Sequence, residues 1–223
     1  RPPRSTLDRS SAASDVYKRQ QISSFDTNGL QTTIAAEVKG FDPESLLGKK
    51  QARRMDRFVQ LASAAAFEAK KAAGLEITPE NAPRTSIMIS SGIGGIITLS
   101  NQIGVMMEKG ASRVSPFLVP MMLPDMASGQ VSIILGAKGP NYSTVSACSS
   151  GADAIGQALE VLQQGDADVV LAGGAEAAIC PIGVAGFNAC MALSTRNDDP
   201  QKASRPFDAE RDLSLIHICR CRR

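Results

Sequence analysis

The sequence lacks long hydrophobic runs, a strong excess of charge and a complete nucleotide-binding fingerprint. Its longest apolar runs fall well short of the roughly 20 residues that a transmembrane helix needs, which excludes an ordinary membrane-spanning segment. Lys and Arg number 24 against 22 Asp and Glu, and the resulting charge of +2 is too small to indicate nucleic-acid binding. The glycines at 92–95 and 172–174 complete neither a G-x-G-x-x-G pattern nor a P-loop, so we do not expect a bound nucleotide.

Enough apolar residues are present to build a core. Hydrophobic residues make up 43% of the 223 positions and charged residues 21%, proportions that argue against wholesale disorder. A chain of this length forms one large domain or two small ones. No signal peptide is visible, and we expect a cytoplasmic protein.

The two ends of the chain are related through their coding DNA rather than through protein chemistry. One allowed encoding of residues 10–20, SSAASDVYKRQ, has a reverse complement that reads LSLIHI, a stop codon and RCRR. That translation matches residues 213–223 at ten of eleven positions, and the exception, Cys219, needs one base change. The DNA resembles a transposase-type sequencing adapter. We therefore interpret residues 1–20 and 213–223 as adapter-derived tails, expect the first to be disordered, and take 21–212 as the body.

Removing the tails changes the charge and the inventory of reactive side chains. The tails carry eight Lys or Arg and two Asp or Glu, which leaves 16 basic and 20 acidic residues in the body. The single histidine, His217, belongs to a tail. The body keeps three cysteines, an odd number without paired spacing, which indicates neither a disulfide framework nor a metal site. These are Cys148, Cys180 and Cys190.

Periodicity predicts alternating strands and helices. Asp42 and Pro43 are typical of a helix cap and first turn. Helical spacing of apolar residues predicts helices over 49–74, 96–109, 126–135 and 152–164. Strand patterns cover 34–41, 84–91, 141–147 and 168–172, and three prolines make 112–126 irregular. The strand, turn, helix and strand between 141 and 172 form a βαβ unit, which favours an α/β fold.

Cys148 lies between a predicted strand and a predicted helix. The free N–H groups and the positive end of the dipole at a helix start favour a thiolate, which is the nucleophilic form. Gly151 and small neighbours leave room for a substrate to approach. A small buried cysteine that only packs in a core is the alternative interpretation. We expect Cys180 and Cys190 to be packing residues, because neither has this strand-to-helix context.

Five stretches together resemble the β-ketoacyl-[acyl-carrier-protein] synthases, most closely the elongating synthase II type. They are SGIGG at 91–95, SPFLVP at 115–120, GPNYSTVSACSSGADAIGQA at 139–158, GDADVVLAGGAEA at 165–177 and ALSTRNDDPQKASRPFDAERD at 192–212. The resemblance implies the thiolase-like α/β fold, with α-β-α-β-α layers, of which this chain holds mainly the N-terminal half. It also implies a homodimer and a role in fatty acid chain elongation.

The resemblance assigns roles to six residues. Cys148 matches the nucleophile that accepts an acyl group before malonyl-carrier protein loses CO2 and condenses with it. Ile93 and Leu118 match positions that line the acyl pocket, with Leu118 reaching across the dimer. A basic cluster matches the patch that meets the acidic acyl carrier protein, and its residues are Lys50, Arg53 and Arg54. No metal or other cofactor is implied, since the phosphopantetheine arm belongs to the carrier protein.

The catalytic histidines of the resembled family have no counterpart in the body, which contains no histidine. We therefore expect the chain as written not to condense by itself. An alternative function is a non-catalytic, ketoacyl-synthase-like chain-length subunit of a polyketide system. Such a subunit typically lacks the nucleophile, so Cys148 argues against it.

Overall fold

The computed structural model describes residues 20–205 and 207–212. Except for Gln20, the tails predicted at 1–20 and 213–223 lie outside the described residues. The chain divides into two compact units. One unit is Asp42–Ala178, and the other contains the described residues 20–41, 179–205 and 207–212.

The larger unit is built on two parallel strands. Strand β3, Thr85–Ser90, pairs with β4, Val169–Gly174, in a register that places Ser90 opposite Gly174. Both predicted strands are confirmed, with small shifts in their ends. Every residue of β3 is buried, as expected for a parallel strand covered on both faces.

Helices cover both faces of β3. Ile87 and Ile89 join an apolar cluster with residues of the helices Arg57–Ala72 and Met126–Leu135. Met88, which points to the other face, packs with Ala158 and Val161 of the helix Ser150–Gln164. The alternation of side chains along one strand therefore divides the core into two layers, and the predicted α/β class is confirmed.

The helices of this unit follow the predicted pattern with one break. Their bounds are α1 Pro43–Leu47, α2 Lys49–Ala52, α3 Arg57–Ala72, α4 Ile96–Lys109, α5 Leu118–Met122, α6 Met126–Leu135 and α7 Ser150–Gln164. The single helix predicted over 49–74 is wrong, because Asp56 adopts an extended backbone and its side chain caps α3 through Phe58 N–H. Within the described part of the chain, no helix is long and apolar enough to cross a membrane.

The strand predicted over 141–147 is also wrong. Asn141 makes a single bridge to Ile87, and residues 142–147 form no strand. Hydroxyl groups of β3 occupy the positions that backbone partners would take. Ser90 Oγ accepts a hydrogen bond from Thr144 N at 3.0 Å, and Ser86 Oγ donates to the carbonyl of Pro140. The segment therefore follows β3 without forming a regular ladder.

The smaller unit contains a two-residue antiparallel pair and one helix. Strand β1, Gln20–Gln21, pairs with β2, Ile34–Ala35, and helix α8 covers Pro181–Ala189. The strand predicted over 34–41 is thus limited to its first two residues. Glu37 lies beyond it and accepts hydrogen bonds from Ser23 and Ser24 instead.

The STRND stretch at 194–198 holds this smaller unit together. Asn197 Oδ1 accepts from Thr33 N at 3.0 Å, and Asn197 Nδ2 donates to the carbonyl of Gln31 at 2.9 Å. The carbonyl of Ser194 accepts from the buried Thr32 hydroxyl at 2.8 Å. These side chains fix loops that are more than 160 residues apart in sequence.

Candidate functional site

Cys148 lies in a tight turn that is held by serine hydroxyls. The turn is a short 3-10 helix, Ala147–Ser149, which runs directly into α7. Ser150 Oγ accepts from Ser146 N at 2.9 Å and donates to the carbonyl of Ala147 at 2.7 Å. Ser149 Oγ donates to the carbonyl of Ser146 at 2.9 Å. The side chains of the two residues after Cys148 therefore hold its backbone, while Cys148 itself is exposed.

The first turn of α7 adds one more constraint to this turn. The Ser146 hydroxyl donates to the carboxylate of Asp153, which lies in that first turn. A carboxylate in the first turn of a helix interacts favourably with the helix dipole. The contact joins the residue two positions before Cys148 to the body of the helix, so the cysteine sits at a rigid helix start.

Ala147, the residue before Cys148, has an unusual backbone. Its φ is 54°, in the left-handed region that an alanine rarely adopts. The carbonyl of Ala147 faces Gly92, where an ideal Cβ would stand only 2.8 Å from that oxygen. Only glycine at position 92 allows this approach. A residue keeps such a backbone conformation only where surrounding contacts hold it in place, and residues of this kind are common at functional sites.

The turn that contains Gly92 is held by an acidic side chain. Glu176 Oε2 accepts from Gly92 N at 2.9 Å and from Ile93 N at 3.0 Å, and Ser91 Oγ donates to Oε1 at 3.2 Å. The sequence pattern alone did not indicate Glu176 as a site residue. One signal was available, since Glu176 follows the carboxyl end of a parallel strand, where ligand-binding side chains collect.

The expectation that Gly151 leaves room for a substrate stays a prediction. The structure shows that Gly151 packs on the end of β4, where an ideal Cβ on Gly174 would meet the Gly151 Cα at 2.8 Å. The two glycines bring the start of α7 into backbone contact with the sheet. Close helix-to-sheet packing therefore favours glycine at both positions, since an ideal Cβ on Gly151 would also stand 3.2 Å from the Gly174 Cα.

The two predicted acyl-pocket residues lie on connected segments. Ile93 follows Gly92 in the turn and is 39% exposed. Leu118 begins α5 and is half-buried. The end of α5 contacts the same turn, because Gly95 N donates to the carbonyl of Met122 at 3.0 Å. The structure thus connects the Ile93 turn both to α5 and to the backbone beside Cys148.

The predicted basic patch is exposed. Lys50 lies on α2, and Arg53 and Arg54 follow that helix directly. Arg53 Nε is 3.6 Å from a carboxylate oxygen of Glu44. The Arg54 guanidinium lies 4.5 Å from the ring centre of Phe117, one residue before α5. All three cations remain accessible to an acidic surface.

The other two cysteines differ from each other. Cys180 is buried, as predicted for a packing residue. Cys190 is exposed, so the prediction that it packs in the core is wrong. It ends α8, where its Sγ donates to the carbonyl of Phe187 at 3.4 Å. Among residues 20–205 and 207–212, no three His, Cys, Asp or Glu side chains are grouped so that they could hold a metal ion.

A groove of about 630 Å³ lies between α3 and β4. Its walls are mainly alanines of α3 and the whole of β4. Cys148 is not among the lining residues. We therefore assign the candidate chemistry to the exposed turn at Cys148 rather than to this groove.

Comparison with known proteins identifies the family of the chain. A family model described as "Beta-ketoacyl synthase, N-terminal domain" matches residues 4–212. The chain is 51% identical over 192 residues to 3-oxoacyl-[acyl-carrier-protein] synthase 2 of Staphylococcus aureus, covering 86% of this chain and 47% of that protein. The enzyme of the same name from Vibrio cholerae is 48% identical over 191 residues, covering 86% and 46%.

A solved structure agrees with these sequence relatives. The crystal structure of a beta-ketoacyl synthase from Burkholderia phymatum matches with a TM-score of 0.78 and 31% identity, over 90% of this chain and 50% of that one. The predicted thiolase-like α/β fold is thereby confirmed. The chain spans about half the length of the curated relatives it matches. It belongs to the beta-ketoacyl synthase family and carries the N-terminal domain of that family.

Proposed function

We propose that the chain supplies the nucleophile for the decarboxylative Claisen condensation of an acyl-enzyme with malonyl-[acyl-carrier-protein] in fatty acid elongation, a reaction that the chain as written is not expected to complete by itself. The product is a 3-oxoacyl-[acyl-carrier-protein]. The names of the relatives at 51% and 48% identity support this reaction. The non-catalytic chain-length subunit is not favoured, because the chain keeps a cysteine at the predicted nucleophile position.

The observation that carries the proposal is the exposed Cys148 at the start of α7. Its Sγ attacks the carbonyl carbon of an incoming acyl thioester, and the carrier's thiol leaves with the proton that Cys148 gives up. Malonyl-carrier protein then loses CO2, and the electron pair of the broken C–C bond attacks the acyl carbon. The Cys148 sulfur leaves as the new C–C bond forms, and it then takes up a proton.

The same proposal gives roles to the residues around the turn. Ile93 and Leu118 line the acyl pocket in this reading. Their support is the contact of the 92–95 turn with both the Cys148 backbone and the end of α5. No metal or other resident cofactor is proposed, since the phosphopantetheine arm arrives with the carrier protein.

We propose the acyl carrier protein as the partner of the basic patch. The relatives' name contains that carrier, and Lys50, Arg53 and Arg54 offer exposed positive charge beside α1. Charge complementarity of this kind mainly raises the rate and specificity of association. A homodimer and a cytoplasmic location belong to the same proposal.

The test compares two exposed thiols in the same chain. With limiting iodoacetamide, followed by peptide mass spectrometry, Cys148 is expected to be alkylated faster than Cys190. A helix start favours the reactive thiolate, while Cys190 ends a helix. The C148S variant keeps the Cys190 rate and serves as the control. Equal rates at Cys148 and Cys190 would contradict the assignment of Cys148 as the nucleophile.

A further inference from the structure

Glu176 makes contacts that the proposed reaction does not yet use. Its carboxylate accepts hydrogen bonds from Ala177 N beside it and from three donors in consecutive residues of the other strand's end, Ser91 Oγ, Gly92 N and Ile93 N. Hydrogen bonds to a charged acceptor are stronger than neutral ones. One side chain therefore determines the path of the chain immediately after β3.

The path of residues 91–93 affects the turn that contains Cys148. Gly92 is in backbone contact with Ala147, whose left-handed φ of 54° directly precedes Cys148. Serine hydroxyls hold this turn from the α7 side, through Ser150 and Ser149. On the opposite side the strained Ala147 meets the Gly92 backbone, and Glu176 is what fixes that backbone.

We infer that Glu176 is a positioning residue: its carboxylate clamps residues 91–93 and thereby holds both the Cys148 turn and Ile93 in place. The inference rests on the proposed function of Cys148 and Ile93. It adds a residue that touches neither the thiol nor, in the proposal, the acyl chain. The clamp requires an acceptor with two oxygens, because Oε2 accepts from the N–H groups of Gly92 and Ile93 while Oε1 accepts from Ser91 Oγ and from Ala177 N.

Two variants of the 223-residue chain distinguish a local effect on residues 91–93 from a loss of overall stability. E176A removes both acceptor oxygens, whereas E176Q keeps one. The matched control is E160Q, since Glu160 is exposed on α7 and its carboxylate accepts a hydrogen bond from Gln157 of the same helix. Hydrogen exchange is measured at the amides of Gly92 and Ile93, with the buried β3 amides as the reference for global unfolding.

E176A is expected to raise exchange at 92–93 about three- to tenfold, with β3 unchanged, because a charge-assisted hydrogen bond of partly exposed groups is lost. The iodoacetamide rate at Cys148 is expected to fall relative to that at Cys190. E176Q is expected to recover part of both effects, and E160Q to match the unchanged chain. Recovery by the conservative variant separates positioning from a general loss of stability.

Unchanged hydrogen exchange at Gly92 and Ile93 in E176A would refute the inference that Glu176 holds residues 91–93. Faster exchange with an unchanged Cys148 rate would overturn its positioning role. If E176A also raises hydrogen exchange in β3, the fold itself is destabilised. The exchange at 92–93 and the Cys148 alkylation rate of E176Q then test the clamp. The proposed function fails separately, when Cys148 reacts no faster than Cys190 in the unaltered chain, and the exchange result still tests the clamp in that case.

Discussion

Asp56 offers the sharpest test of how the larger unit is held together. It is 2% exposed, and its carboxylate serves two helices. Oδ1 accepts from Phe58 N at 3.3 Å at the start of α3. Oδ2 accepts from Thr98 N at 2.8 Å and from Thr98 Oγ1 at 2.6 Å, in the first turn of α4. One side chain therefore satisfies free N–H groups of two helices that begin 39 residues apart.

The D56A variant removes every one of these acceptors. Loss of an ordinary N-cap costs about 1 kcal/mol, and each buried donor left without a partner adds about 1 to 3 kcal/mol. With the cap lost and two donors of Thr98 left unpaired, we expect D56A to lower the free energy of unfolding by at least about 3 kcal/mol. D56N keeps one acceptor oxygen and is expected to lose less.

The matched control is D42A. Asp42 also caps a helix, α1, by accepting from Glu44 N at 2.9 Å, but at an exposed position and without a second helix. Its loss is expected to cost about 1 kcal/mol. Urea unfolding followed by circular dichroism gives both values, because Asp56 and Asp42 lie in the same unit. If D56A and D42A lower stability equally, the double-cap argument is wrong.

Two further predictions use the same measurement. Burial tends to raise the pKa of Glu37, but hydrogen bonds from Ser24 and Ser23 outweigh it and lower the pKa to about 2. A lowered carboxyl pKa stabilises the fold above the unfolded value of 4.5 and loses that effect as pH falls toward 2. E37Q should therefore cost about 1 to 3 kcal/mol at pH 7 and progressively less toward pH 2, and a pH-independent cost would refute this. G174A should cost about 1 to 3 kcal/mol because its Cβ meets backbone, whereas G156A, in open space on α7, should stabilise by about 0.5 to 1 kcal/mol. Equal effects of the two alanines would contradict the packing argument.

Local chemistry was sufficient to predict some elements of this fold. Helices α4 and α6 have the bounds that periodicity predicted, and Gly136 ends α6 in a left-handed conformation with φ of 76°. Glycine at a helix end acts through its own backbone. Such signals need no distant partner, so a sequence pattern can locate them.

The failures have a common physical cause. The break before α3 depends on Asp56, whose partner Thr98 is 42 residues away. The irregular path after Asn141 depends on hydroxyl groups of Ser86 and Ser90, 54 residues away from their partners. In each case a side chain satisfies a backbone group that regular secondary structure would otherwise have used. Periodicity describes only neighbours along the chain, and it therefore predicted regular structure at both places.

The contact between Glu176 and Gly92 was partly predictable: the sequence indicated the elements involved but not how they pair. The register of the sheet places Ser90 opposite Gly174. Continued by two residues on each strand, the same offset places Gly92 opposite Glu176, which is where the hydrogen bond is found. The acidic residue and the glycine turn were both visible in the sequence, and both strands were predicted. What was missing was the register, which depends on how side chains of both faces pack against the helices. Once the register is fixed, the position of Glu176 beside the turn that contacts the Cys148 turn follows from the geometry of two parallel strands.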